Sequence, residues 1–333
     1  MKTKKKVVVS IIPTGIRCAV GGYIGDATLA TNALASVCDY VITNPNAVNA
    51  GAFNFKDKNV LYVEGYAIDQ LFENRLSLLL PKKNRVGVVL ENVPDRITRA
   101  SALKTIEAFR AVKGVDIAGI EYIPPLKKTI TIRHGQFCAD IKNIDRLIAA
   151  ARRLRTKGAN AIAIGTHIKV STPHLRGYQK GLLPNPYGLL EALLSHTIVH
   201  FLKIPAAHGP LLTKKEMEFY LFESFASDPR SALENISPAY LGSILTGLDY
   251  APQFKSPGKG DISRKDIAAL IAPINCRRSM TVAQALEHNI PVIEVLENKN
   301  IFRAIDLPSR SGRIIRLPTY ADAVRLISKL KQK

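Results

Sequence analysis

Two stretches decide the fold: Arg85-Val86-Gly87-Val88-Val89-Leu90-Glu91-Asn92 and Gly158-Ala159-Asn160-Ala161-Ile162-Ala163-Ile164-Gly165-Thr166-His167. Neither alternates apolar with polar residues. Both therefore read as strands buried on two faces, the habit of parallel strands covered by helices. They predict strands over 85–90 and 160–164, and similar β-branched runs predict others at 6–12, 39–43, 59–63, 267–272, 290–295 and 312–316. Helical periodicity fits 27–37, 96–112, 143–157, 187–202, 213–225, 279–288 and 319–331. Alternating strands and helices imply right-handed crossovers. The expected class is α/β, with two Rossmann-like lobes of mostly parallel, doubly wound sheets and an interlobe cleft. The expected division is an N-terminal α/β lobe over 1–170 and a C-terminal α/β lobe with a helical insertion over 171–333. Residues 250–263 read as the clearest loop.

Composition narrows the class further. Of 333 residues 47% are apolar, enough to bury a core, which excludes disorder as the main state. No apolar stretch approaches the ~20 residues that span a bilayer, so no membrane is expected. Val7–Ile12, behind a basic leader, is shorter than a secretory h-region and reads as a first strand. The four cysteines (Cys18, Cys38, Cys138, Cys276) form no C-x-x-C pair, which argues for reduced thiols and a cytoplasmic protein. Lys and Arg number 47 against 27 Asp and Glu, a formal charge of +20. That excess raises a nucleic-acid reading. Against it, the basic residues are spread along the chain, aromatics are 7% with no Trp, and no RRM or KH signature occurs. The charge is better read as long-range attraction for small anions or as an organism-wide bias.

In such sheets ligands bind beyond the carboxyl ends of the strands, so the residues just past each run are the candidate site residues. The first run leads into Pro13-Thr14-Gly15 and Gly21-Gly22-Tyr23-Ile24-Gly25-Asp26. Glycines here can present N–H groups to an anion at a helix start, which makes Thr14, Gly15, Gly21, Gly22, Gly25 and Asp26 candidate binding residues. The pattern is neither G-x-G-x-x-G nor a P-loop, and the plain alternative is a strand–helix turn with Asp26 as N-cap. Asn44 and Asn46 follow the second run as polar ligands or Asx-turn formers. Glu64 follows the third as an acid–base carboxylate or a helix-start charge. Beyond 267–272, Asn275, Arg277, Arg278 and Ser279 can hold a carboxylate or phosphate, the alternative being solvated arginines beside a packed Cys276.

Five of the seven histidines lie between 167 and 208: His167, His174, His196, His200 and His208. His196 and His200 share a helix face, and His208 follows in a turn after that helix. No His-Glu-x-x-His is present and no carboxylate ligand stands out. No metal is therefore expected; His196, His200 and His208 are the residues that would hold one. Acid–base work by His196 or His208 is the favoured alternative.

The ends of the two opening stretches resemble the aspartate/glutamate racemase superfamily, in which a strand ends in Gly-Cys-Thr with a catalytic cysteine. Here Thr166 stands at the cysteine position and His167 next to it. A hydroxyl cannot replace a thiolate at neutral pH, so two-thiol racemisation is not expected. Over the whole chain, Ile12-Pro13-Thr14-Gly15, Gly21-Gly22-Tyr23-Ile24-Gly25-Asp26, Tyr62-Val63-Glu64-Gly65-Tyr66, Ser195-His196 with Ala206-Ala207-His208, and Pro291-Val292-Ile293 to Glu297-Asn298 resemble one family. It is an uncharacterised domain-of-unknown-function family of bacteria and photosynthetic eukaryotes, and the resemblance implies no reaction. Members carry a Cys-Leu-Gly-Gly-like turn where this chain has Cys276-Arg277-Arg278-Ser279.

The expected function is an enzyme of isomerase, lyase or transferase type. It acts on a small anionic metabolite (carboxylate, phosphate or nucleotide) in the interlobe cleft. His196, His208, Glu64, Thr166 and His167 are its candidate catalytic residues. The residues name no cofactor, and a homo-oligomer is open. Alternatives are a non-catalytic metabolite-binding protein and a nucleic-acid-binding protein driven by the basic charge.

Overall fold

All eight expected strands form in the computed structural model, which describes residues 5–22, 26–48, 55–133, 136–180, 182–185, 187–219, 237–302 and 313–330. In chain order β1 (Val7–Ser10), α1 (Thr28–Ala35), β2 (Tyr40–Thr43), α2 (Pro45–Val48), β3 (Val60–Tyr62), α3 (Gly65–Phe72) and β4 (Ser77–Leu79) come first. Next are β5 (Arg85–Glu91), α4 (Arg96–Lys113), β6 (Asp116–Ile123), β7 (Lys127–Arg133), β8 (Gln136–Lys142), α5 (Asp145–Thr156), β9 (Ala161–Thr166) and α6 (Thr172–Gln179). They are followed by α7 (Gly188–Leu202), β10 (Ala206–Pro210), α8 (Lys214–Glu218) and α9 (Ser237–Asp249). The last elements are β11 (Gln253–Lys255), β12 (Ile267–Pro273), α10 (Met280–Glu287), β13 (Val292–Val295), β14 (Ile314–Leu317) and α11 (Tyr320–Lys329).

The chain divides into two compact units, one of Met1–Pro81 with Pro252–Lys333 and one of Lys82–Ala251. The boundary expected near residue 170 falls inside the second unit, because β10 pairs with β9 across it. The second unit is an insertion in the first. β4 and β11, at its two ends, pair antiparallel, so part of the stretch expected to be loop at 250–263 is strand.

The first unit holds a parallel sheet ordered β14-β13-β12-β1-β2-β3. Val8, Val41, Ala269 and Ile293 pack with Leu34 of α1 and Ile327 of α11. Val9, Ile42 and Leu270 point the other way and are also fully buried, so the sheet is covered on both faces. Each such side chain contributes about 1.5–3 kcal/mol by leaving water. The second unit holds a parallel sheet ordered β10-β9-β5-β6. An antiparallel hairpin, β7–β8, sends Ile130, Ala139 and Ile141 onto a buried cluster of Ile168, Leu175, Tyr187 and Leu190.

Close approach shapes the end of β9. A Cβ on Gly165 would come within 2.8 Å of the end of Leu90 and 3.2 Å of the end of Leu211, so a larger residue before Thr166 would have to push these side chains aside. β10 departs from expectation. Ala206-Ala207-His208 is a buried strand rather than a turn after a helix. With Gly209 and Pro210 and no β-branched residue it carries no strand signature of its own.

Asp249, the last residue of α9, is buried, with one carboxylate oxygen unpartnered among the described residues. Burial pushes its carboxyl up to about 6; Lys83 offsets part of this and Asp116 adds to it. The folded protein thus holds this proton more tightly than the unfolded chain does. The associated stability is complete below the ordinary value of 3.8 and is lost as pH rises through about 6. Urea unfolding midpoints are expected to fall between pH 4 and pH 7, and Asp249→Asn to flatten that fall and raise the midpoint at pH 7. An unchanged slope in the variant would contradict this.

Candidate active site

Ligand crevices in open parallel sheets form where the strand order reverses. In the first unit that point lies between β1 and β12, flanked by most of the candidate binding residues. Their polar groups are largely turned inward. Asn44 accepts from the Ile12 N–H at 3.1 Å and donates to its carbonyl at 2.7 Å. Asn298 does the same to Val20, at 2.8 and 2.9 Å, and also bonds the Tyr320 hydroxyl. Two amides thus clamp the loop after β1 at both ends. Asn46 donates to the Pro13 carbonyl, and its own carbonyl takes the Gly22 N–H. Gly22 has φ +86°, and a Cβ there would come 2.6 Å from the Ile16 carbonyl. Its glycine is explained by a packed turn rather than by an anion cradle.

The other candidates of this unit have similar structural roles. Thr14 is exposed in the turn and Gly15 takes φ +79°. Gly21 lies with its φ at +85°, and Gly25 lies outside the described residues. Asp26 accepts from the Thr28 N–H and hydroxyl at the start of α1. Glu64 is the N-cap of α3 and accepts from the Ala67 N–H at 3.2 Å. Ser279 caps α10, and Asn275 donates to the Phe302 carbonyl. Arg277 lays its guanidinium on Glu294 at 2.9 and 3.1 Å, with Arg316 on the same carboxylate at 3.2 Å. Burial would raise Glu294, but the two arginines hold it below the usual carboxylate range. The fork expected to grip a ligand is therefore engaged with a protein carboxylate; Arg278 beside it is exposed.

Cys18 and Cys276 are also buried here. Burial pushes Cys276 up to about 12 and raises Cys18 as well, the reverse of what a reactive thiol needs.

In the second unit the order reverses between β5 and β9. Leu90 is registered opposite Gly165, which makes Glu91 and Thr166 neighbours at the two strand ends. Glu91 is buried, and both of its oxygens are engaged. One oxygen accepts the Leu126 N–H and the Lys128 ammonium, and the other accepts the His167 N–H at 2.7 Å. Lys128 is buried too, and desolvation draws it below the ordinary lysine value despite the attraction of Glu91.

Two imidazole–carboxylate pairs stand on this base. His167, with its side chain 25% exposed, sets Nε2 at 3.1 Å from both oxygens of Glu216. Among the described residues its Nδ1 has no hydrogen-bond partner. Glu216 also accepts from the Thr213 N–H and hydroxyl in the capping box of α8. Burial would raise Glu216, yet the bonds from His167 and Thr213 hold it below the usual range. His208 is buried, with Nε2 at 3.0 Å from the Thr166 hydroxyl and Nδ1 at 3.4 Å from Glu191 on α7.

Of the expected catalytic residues, Thr166, His167 and His208 thus gather at one end of one sheet, and Glu64 belongs to the other unit. His196 is half-buried on α7. His200 is exposed and meets Phe201 edge to face. Among the described residues no three His, Cys, Asp or Glu side chains cluster as a metal site, so His196, His200 and His208 do not form one. Glu91, Lys128, Glu191 and Glu216 are the partners that sequence reasoning missed. Thr213-x-x-Glu216 reads as a helix-start signature, which masks the second use of that glutamate.

The chain matches the family model described as "Protein of unknown function (DUF3326)" over residues 7–333. It is 31% identical over 334 residues to a Synechococcus protein described as "Uncharacterized lipoprotein", covering 97% of this chain and 90% of that one. Both matches bear on the whole-chain likeness. Neither extends the local likeness to the racemase superfamily.

Removing one member of a buried ion pair strands its partner. Glu91→Ala is expected to lower unfolding free energy by about 3–5 kcal/mol in urea titrations, with Glu91→Leu combined with Lys128→Met recovering much of it. A loss below about 0.5 kcal/mol would mean that the pair does not organise this end of the sheet.

Proposed function

We propose, since the chain belongs to the DUF3326 family of proteins of unknown function, an activity built from its own site residues: acid–base catalysis on a small anionic metabolite. The observation that carries this reading is the half-buried His167 ring, held by Glu216 at the β5–β9 reversal. The carboxylate accepts a hydrogen bond from Nε2–H, which keeps the proton there and leaves the lone pair on Nδ1, the side on which a substrate proton can be received. Glu91 fixes the main chain beneath the ring, and Lys128 neutralises Glu91. His208, backed by Glu191, is the second proton-transfer group. The +20 charge supports an anionic substrate by raising its local concentration.

For compartment we keep the cytoplasmic reading, which rests on the four free cysteines. The relative described as a lipoprotein favours a membrane-associated location instead, and cell fractionation separates the two.

The test is proton exchange. The protein is incubated in deuterium oxide with a panel of small carboxylates and phosphate esters that carry a proton next to the acid-stabilising group. Mass spectrometry is expected to find deuterium in at least one of them. His167→Gln should slow that incorporation by about 10²–10⁴-fold while the protein stays folded. Incorporation at the same rate in the variant would overturn the assignment of His167. Binding without incorporation in any member would favour a metabolite-binding protein.

A further inference from the structure

Thr166 and His167 end the same strand in different settings: the His167 ring is half-buried, whereas the Thr166 hydroxyl is fully covered against His208. Building on the reading above, in which this end of the sheet is catalytic, we infer that Thr166 is a nucleophile activated by His208 and Glu191, and that it accepts the acyl group of a thioester.

The tautomer carries the argument. Glu191 lies 3.4 Å from Nδ1 of His208, so a lone pair on Nδ1 would face a carboxylate oxygen. The proton therefore sits on Nδ1, and Nε2 is the acceptor. The Thr166 hydroxyl, 3.0 Å from Nε2, must then be the donor. Among the described residues it has no other hydrogen-bond partner. Hydroxyl, imidazole and carboxylate thus stand in the order that turns a weak alcohol into a nucleophile. A merely structural histidine, nearly fully buried, would satisfy both ring nitrogens. Here Nδ1 makes no well-formed hydrogen bond, and the Glu191 contact is long and bent. Such contacts commonly tighten only when substrate arrives.

The neighbouring main chain selects the acyl donor. In strand-end nucleophile sites the N–H following the nucleophile polarises the carbonyl. In this protein that N–H, on His167, is held by Glu91. The site therefore suits a carbonyl that is already activated by a good leaving group. In the reaction His208 Nε2 takes the hydroxyl proton, the Thr166 oxygen–carbon bond forms and the carbon–sulfur bond breaks. The departing thiolate takes the proton from His208. Water, deprotonated by the same nitrogen, then releases the carboxylic acid and restores the hydroxyl. Acylation requires the side chains over Thr166 to part, which favours a short acyl group.

p-Nitrophenyl acetate serves as the probe, with intact-mass and peptide-mass readouts on the full chain. The expected result is a burst of p-nitrophenolate with acetate mapped to Thr166. Thr166→Ser should keep it, while Thr166→Val and His208→Gln should lose it by at least ~100-fold. Glu191→Gln should weaken it without shifting the site of attachment. Acetate found only on lysines, or equal labelling of Thr166→Val, would overturn the nucleophile while leaving the deuterium-exchange result standing. Wild-type protein that neither acetylates at Thr166 nor exchanges deuterium would overturn both readings. If a variant fails to fold, the wild-type peptide map still decides.

Discussion

The buried Glu91 carboxylate is the constraint on which the second unit's functional end depends. It holds three parts of the chain at once: the β6–β7 connection through Leu126, the hairpin through Lys128, and the exit of β9 through His167. A buried carboxylate is tolerated only when its charge is paired and its lone pairs are engaged. Satisfying Glu91 therefore dictates where the hairpin starts and where His167 leaves the sheet. With that exit set, Thr166 meets His208 on β10 and His167 meets Glu216 on α8.

The two sheets show the same architecture put to different ends. Each reverses strand order once, and each reversal gathers polar residues. In the first unit they bond to one another and to the loop after β1, with Asn44, Asn298 and the Arg277–Glu294–Arg316 group acting as fasteners. In the second, fastening is concentrated on Glu91 and Lys128. Above them are two histidines whose second nitrogens lack a well-formed hydrogen bond among the described residues. That difference, rather than the number of polar residues, singles out the second unit.

Much of this was legible in the residues. Apolar runs such as Val86–Leu90 and Ala161–Ile164 announce buried parallel strands, because they are short, rich in Val and Ile and apolar toward both faces. Thr166 and His167 are found by position alone. The edge strand β10 was not legible, since its Ala, Gly and Pro have no strand preference and its place comes from pairing with β9. The domain boundary was missed for a related reason, an insertion whose ends meet only in three dimensions. The glycines after β1 looked like an anion cradle, but a turn crowded by the Ile16 carbonyl demands the same residue. Glu191 and Glu216 lie 17 and 49 residues from the histidines they meet, His208 and His167, so no local pattern could connect them.

In both imidazole–carboxylate pairs the carboxylate sets which ring nitrogen carries the proton. Nitrogen-15 NMR of the neutral imidazoles reads this directly, with no substrate required. His167 is expected to carry its proton on Nε2 and His208 on Nδ1, with Glu216→Gln and Glu191→Gln each weakening that preference at the partner ring alone. Histidines that sample both tautomers in the wild-type protein, or that ignore these substitutions, would contradict it.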